Sequence, residues 1–163
     1  MTDAALPPTQ PERIAAAMVD ALKAELGAGW LIDLFPADPE HYDGAGAERL
    51  ALVQYRGSTY AEAQGLGSGT QTRLSAWVVH LTYQNAGRGA DDPMRPLRDI
   101  GQVRAALQGR KIEGGHVRLV RDGLLEHTPG RRRYIVELDL AVPVLAAARP
   151  PLTPIFQPQE AAS

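Results

Sequence analysis

Three strand-like runs set the limits on this fold. Leu50–Tyr55 and Leu74–Tyr83 are apolar on both faces, whereas Tyr134–Val142 is apolar on one. In the last run Tyr134, Val136, Leu138, Leu140 and Val142 alternate with Ile135, Glu137, Asp139 and Ala141. Strict alternation puts the first set on one face of a sheet. In the middle run Trp77, Val79, Leu81 and Tyr83 take one face, and Leu74, Ala76 and Val78 take the other. A strand apolar on both faces needs cover on both. The chain offers helices for one side only, so the second cover is expected from a partner subunit.

The helices follow from spacing. Ile14, Ala17, Met18, Ala21, Leu22 and Leu26 recur at intervals of three and four, which predicts a helix over Pro11–Leu26 with Thr9 or Gln10 at its cap. Gly27 and Gly29 end it. Leu97, Ile100, Val103, Arg104 and Leu107 predict a second helix to about Gln108, with Asp91 or Asp92 as cap and Pro93 at the first position. Trp30–Phe35 and His116–Arg121 read as short strands, Arg49–Arg56 and Thr72–Tyr83 as longer ones. Ala37–Glu48, the Gly-rich Gly57–Gln71, Asn85–Asp92 and Asp122–Gly130 read as loops or turns. Residues 1–10 form a lead, and the prolines at 143, 150, 151, 154 and 158 argue against regular structure in a tail over 146–163. The expected architecture is α+β: a mostly antiparallel sheet of four to five strands with two helices packed on one face.

Composition removes several classes of function. A chain of 163 residues is one domain and can bury a core without staples. It has no cysteine, so thiol chemistry and cysteine metal sites are out. Its net charge is −2, with no global basic field for nucleic acid. No apolar run approaches the roughly 20 residues of a membrane helix, and Met1–Gln10 has no signal-peptide pattern.

The motif search is equally lean. His41, His80, His116 and His127 are scattered, and none has metal-helix spacing. Gly65-Leu-Gly67-Ser-Gly69-Thr70 has no lysine at the P-loop position and opens no helix. Ser58, Ser68 and Ser75 sit in no nucleophile-elbow pattern. Glu137 and Asp139 share a strand face, where pairing with cross-strand arginine is the plainer reading than a catalytic carboxylate pair. Arg131, Arg132 and Arg133 form the one dense basic cluster, suited to nucleic-acid phosphate or to a subunit contact, and Arg56 at a strand rim is another contact candidate.

Three stretches carry a family resemblance over about residues 10–145. They are the first helix with Ile14, Met18 and Leu22; Leu52-Val-Gln-Tyr-Arg-Gly-Ser58 followed by Gln71-Thr-Arg73 and the long strand; and the helix with Ile100, Val103, Arg104, Ala105, Ala106 and Leu107 leading to a final strand that ends Ala141-Val-Pro143. Together they resemble a small tail protein family of Mu-like bacteriophages, itself similar to phage tail terminators. The resemblance implies a ring, usually a hexamer, that caps the head-proximal end of the tail tube and joins tail to neck. Its implied partners are copies of itself, the tail tube protein and a head–tail connector or stopper protein. DNA would pass through the lumen, no membrane is involved, and the location is the virion, with assembly in the host cytoplasm. The resemblance brings no catalytic residue, metal ligand or cofactor. On this reading the subunit or tube contacts fall to Arg56, Ser58, Tyr60, Arg73, Trp77, Arg131, Arg132, Arg133, Ile155 and Phe156, with Leu152, Ile155 and Phe156 docking the tail on a neighbour. A stopper or other neck protein, a small enzyme using the Gly57–Gln71 loop, and a nucleic-acid module around Arg131–Arg133 stand as alternatives.

Overall fold

The fold is given by a computed structural model that describes residues 7–39, 42, 44–61, 70–86 and 92–145. The chain runs α1 (Gln10–Leu26), β1 (Leu31–Leu34), a 3₁₀ turn (Gly44–Gly46), β2 (Arg49–Tyr60), β3 (Thr70–Ala86), α2 (Arg95–Leu107), β4 (Lys111–Ile112), β5 (Gly115–Thr128) and β6 (Gly130–Leu145). The α+β class holds, and the described residues form two helices and a mixed sheet of six strands in the order β1-β2-β3-β6-β5-β4. Four to five antiparallel strands therefore becomes six, with β1 parallel to β2 and the remaining pairs antiparallel. The parallel pair has a physical cause. A parallel pair needs a crossover connection rather than a tight hairpin, and the 14 residues between Leu34 and Arg49 are long enough to make one. β4 is too short for its alternation to register in the sequence.

α1 starts where Glu12 folds back on Thr9, accepting the Thr9 backbone N–H at 2.5 Å and its hydroxyl at 2.6 Å. Those bonds hold the Glu12 carboxyl below its usual range. The start of α2 departs from expectation. Asp92 makes a turn first, its carboxylate accepting the Met94 N–H, and the helix begins at Arg95 with Pro96 in its first turn. Leu97, in that first turn, is 56% exposed.

The core lies between the helices and one face of the sheet. Ile14, Met18 and Leu22 of α1 and Val103 and Leu107 of α2 pack over Val53, Trp77, Val79, Leu81, Val136, Leu138 and Leu140. Each large side chain so buried contributes about 1.5–3 kcal/mol of transfer free energy. Within this core the Tyr83 hydroxyl donates to buried Asp99 at 2.9 Å, tying β3 to α2. Burial, then the Asp99 charge, push the Tyr83 phenol well above its usual range.

The outer face is covered in part by the chain itself. Phe35 packs on His80 with ring centroids 4.6 Å apart, Gln84 donates its N–H to the Glu48 carbonyl, and Gly44 lies against Leu50. Leu50, Leu52, His80 and Thr82 are buried beneath this segment. The cover assigned to a partner subunit is thus supplied, over that half, by described residues of the β1–β2 connection, Phe35, Pro36, Pro39 and Tyr42 among them. The other half stays open, with Leu74 and Val120 exposed.

Both hairpins are longer than expected. The β2–β3 ladder continues past Gly57 to Tyr60↔Arg73, so its loop is shorter than Gly57–Gln71. Asp122–Thr128 is strand rather than turn, and Arg131–Arg133 lie inside β6 rather than before it. Polar strand residues here are solvent-facing, which disguised them as loop. His41, Asp43, Gly65, Gly67, Ser68 and Gly69 lie outside the described residues.

Candidate interaction surface

Residues of β2 and β3 assemble a polar and aromatic cluster just beyond the helices. Arg73 donates from Nε to Ser58 Oγ at 2.7 Å and from Nη2 to Tyr55 Oη at 2.9 Å. The two hydroxyls bond each other at 2.7 Å. The guanidinium also lies 5.8 Å from the Tyr55 ring centroid and 5.9 Å from that of Tyr60. Burial raises the Tyr55 phenol, but the hydrogen bonds with Ser58 and Arg73, and then the Arg73 charge, outweigh it and hold the group below its usual range.

A bulge makes this cluster. Tyr55 pairs with Trp77 and Gly57 with Ala76, which leaves Arg56 as the extra residue. Without it Tyr55 and Ser58, three positions apart, would face opposite sides of the sheet. Gly57 takes φ 132°, and a glycine inside a strand run was the one sequence signal for the bulge. Tyr55 was missed as a contact candidate because it read only as part of an apolar run.

Trp77 belongs to the core instead. It is 2% exposed, donates from Nε1 to Ser75 Oγ at 2.9 Å, and backs the Tyr55 ring at 5.0 Å. Ser75 in turn donates to the Leu140 carbonyl at 3.1 Å. Trp77 positions the cluster and has almost no surface to offer a neighbour.

Arg56 sits on the opposite, outer face. There Arg56, Thr59, Leu74, Val78 and Val120 line an open concavity of about 620 Å³. Beside it Arg121 binds Glu137 through two bonds of 2.6 and 2.7 Å. Arg118 binds Asp139 through two bonds of 2.9 and 2.5 Å. The two carboxylates are therefore one half of a cross-strand charge ladder, and hydrogen bonding by Arg121 holds Glu137 below its usual range. Ser58 and Ser75 have the partners described above, and among the described residues no group of three or more His, Asp and Glu could hold a metal ion.

Alternation splits the arginine cluster. Arg131 and Arg133 share the outer face with Glu137, while Arg132 faces the helix side. Arg133 is half-buried, 3.6 Å from Glu126, and its Nε is buried without a hydrogen-bond partner. Burial, and then the Arg131 charge, lower its pKa. So the three do not form one basic patch. Ile155 and Phe156 lie outside the described residues.

No curated protein matches the chain. A solved chain from "Virion of native gene transfer agent (GTA) particle" aligns with a TM-score of 0.51 at 14% identity, covering 85% of this chain and 100% of that one. At that identity the likeness is one of fold. The model of the family described as Gp37 protein matches residues 18–159, a span that takes in the second half of α1, the whole sheet and α2, and the chain belongs to that family.

Proposed function

We propose that this chain is a structural virion protein, a phage tail terminator that forms a ring on the head-proximal end of the tail tube and joins it to the neck. The observation that carries the reading is the pair of unlike surfaces on opposite faces of one sheet: the Arg73 cluster on the helix side and the half-open Leu74–Val120 concavity on the outer side. A head-to-tail ring uses two different surfaces on each subunit and closes by rotation. Membership of the Gp37 family and likeness of fold to a chain of a gene transfer agent virion support it. In this reading residues 11–145 build the ring, with Arg56, Ser58, Tyr60 and Arg73 at contacts, and the protein has no catalytic role. Copies of itself, the tail tube protein and a connector or stopper are its neighbours, and DNA passes through the lumen.

The test is the mass of the purified protein by light scattering, alone and with the cognate tail tube protein. A ring-sized species, or one that appears on tubes and fixes their length, is expected. A monomer that ignores tubes but binds a portal or connector ring would assign the chain to the stopper class instead.

A further inference from the structure

The two edges of the sheet carry opposite charge. α1 packs on β1 and β2, and α2 on β5 and β6, so the strand order sets α1 with β1 at one edge and α2 with β4 and β5 at the other. α1 and β1 hold four carboxylates, Glu12, Asp20, Glu25 and Asp33, against two lysine or arginine side chains. α2, β4 and β5 hold six lysine or arginine side chains against three carboxylates, and one of these, Asp99, is buried. A molecule acidic at one edge and basic at the other attracts copies of itself head to tail.

Each edge also exposes apolar surface. At the acidic edge an open groove of about 830 Å³ separates α1 from β1 and β2, with Ala16 and Val19 on the helix side and exposed Leu34 and Tyr55 on the sheet side. Glu12, Asp20 and Asp33 belong to its described lining. At the basic edge β4 pairs only with Gly115 and His116, so among the described residues no strand flanks the outer side of β5 beyond Val117. That free stretch has two bulges, whose extra residues are Val120 and Leu125. Edge strands are commonly protected by bulges and by charge. Here the inserted residues are apolar and exposed, and Leu124 and Leu125 stand 56% and 50% open side by side. Arg104 of α2 lies 3.1 Å from Asp122, two positions from Leu124, which brings the basic helix beside this pair.

The two features cannot meet within one chain. β5 lies three strand positions from β2 and four from β1, about 14–19 Å away at the usual spacing of strands. We propose that Leu124 and Leu125 on the β5 edge of one copy dock in the groove between α1 and β1–β2 of the next copy, basic edge against acidic edge. Such a contact is heterologous and repeats from copy to copy until a ring closes. It also runs on from the surfaces described above. Tyr55 of the groove belongs to the Arg73 cluster, and Val120 of β5 lines the outer concavity. The proposal rests on the ring reading and names the residues that join one subunit to the next.

The chain has no cysteine, so introduced thiols report proximity directly. Full-length Ala16→Cys and Leu125→Cys proteins are oxidised separately and as an equal mixture, with the tail tube protein absent and present. A mixture of Ala24→Cys with Leu125→Cys is the control, since Ala24 is exposed on α1 but does not line the groove. Light scattering gives the mass of each sample before oxidation. The expected result is a disulfide between Ala16→Cys and Leu125→Cys chains that forms about tenfold faster than in the control or in either variant alone. Adding Leu124→Asp to the Leu125→Cys chain, or Asp20→Lys and Asp33→Lys to the Ala16→Cys chain, should remove that advantage. A ring-sized mass with no faster cross-link than in the control would overturn this contact and leave the ring reading standing. A Leu125→Cys homodimer forming as fast as the mixed pair would also overturn it, since the β5 edges would then meet each other about a two-fold axis. A monomeric mass with no cross-link, with or without tube protein, would remove both.

Discussion

At the scale of the residue, space and charge decide outcomes that composition hides. A Cβ on Gly115 would fall 2.1 Å from the Ala141 carbonyl oxygen, where backbone cannot give way. Gly115→Ala should destabilise the protein by about 2–4 kcal/mol, read from urea unfolding. Gly101 in α2 has nothing within 4 Å of such a Cβ, so Gly101→Ala should stabilise by about 0.5–1 kcal/mol in the same assay. His80 is buried, packs on Phe35 and bonds Gln54 at 2.9 Å. Its burial, and then the Arg133 and Arg56 charges, bring its pKa down from 6.5 to about 4. The unfolded chain therefore binds a proton that the folded chain refuses between those values. Stability is full above pH 6.5 and falls as pH drops towards 4. Between pH 7.5 and 5 the loss should be about 1–2 kcal/mol, and His80→Gln should remove that part of the slope.

At the scale of the element, a buried hydrogen bond ties α2 to the sheet and one inserted residue aims β2. Tyr83→Phe would leave the buried Asp99 carboxylate without its phenol donor. A loss of about 1–3 kcal/mol is expected, visible as a lower melting temperature. α2 was legible through Ile100, Val103 and Leu107, all buried as their spacing demanded. Its start was not, because Asp92 satisfies Met94 in a turn rather than capping a helix that begins at Pro93. Strand existence was likewise legible where apolar alternation is strong, in β3 and β6. The outer reaches of β5 were not, since Asp122, Glu126 and His127 gain their strand geometry from pairing with β6, which no local pattern reports.

At the scale of the whole molecule, the open half of the outer face is where assembly can be tested. Leu74 is 40% exposed there, so Leu74→Asp costs the monomer little burial. In the ring reading it should shift the mass by light scattering to that of a monomer while leaving the melting temperature within a few degrees. An intact ring would remove this face from the contact. The charge ladder of Arg118–Asp139 and Arg121–Glu137 is solvent-facing, with arginine side chains 74% and 68% exposed, and adds little to folding.

The sequence by itself determined the class of the fold, the two helices, the central strands and the core they share. Those depend on local periodicity, where each apolar side chain announces its face. It also anticipated that Glu137 and Asp139 would meet arginines, since a polar strand face in an antiparallel sheet brings cross-strand charges together. The tertiary structure alone decided that β1 runs parallel to β2, that Phe35, Pro36, Pro39 and Tyr42 cover part of the outer face, and that a bulge at Arg56 gathers Tyr55, Ser58 and Arg73. It also sent Trp77 into the core and split Arg131 and Arg133 from Arg132. Each of these depends on which strand lies beside which and in what register, and register is a property of pairs of segments rather than of either one.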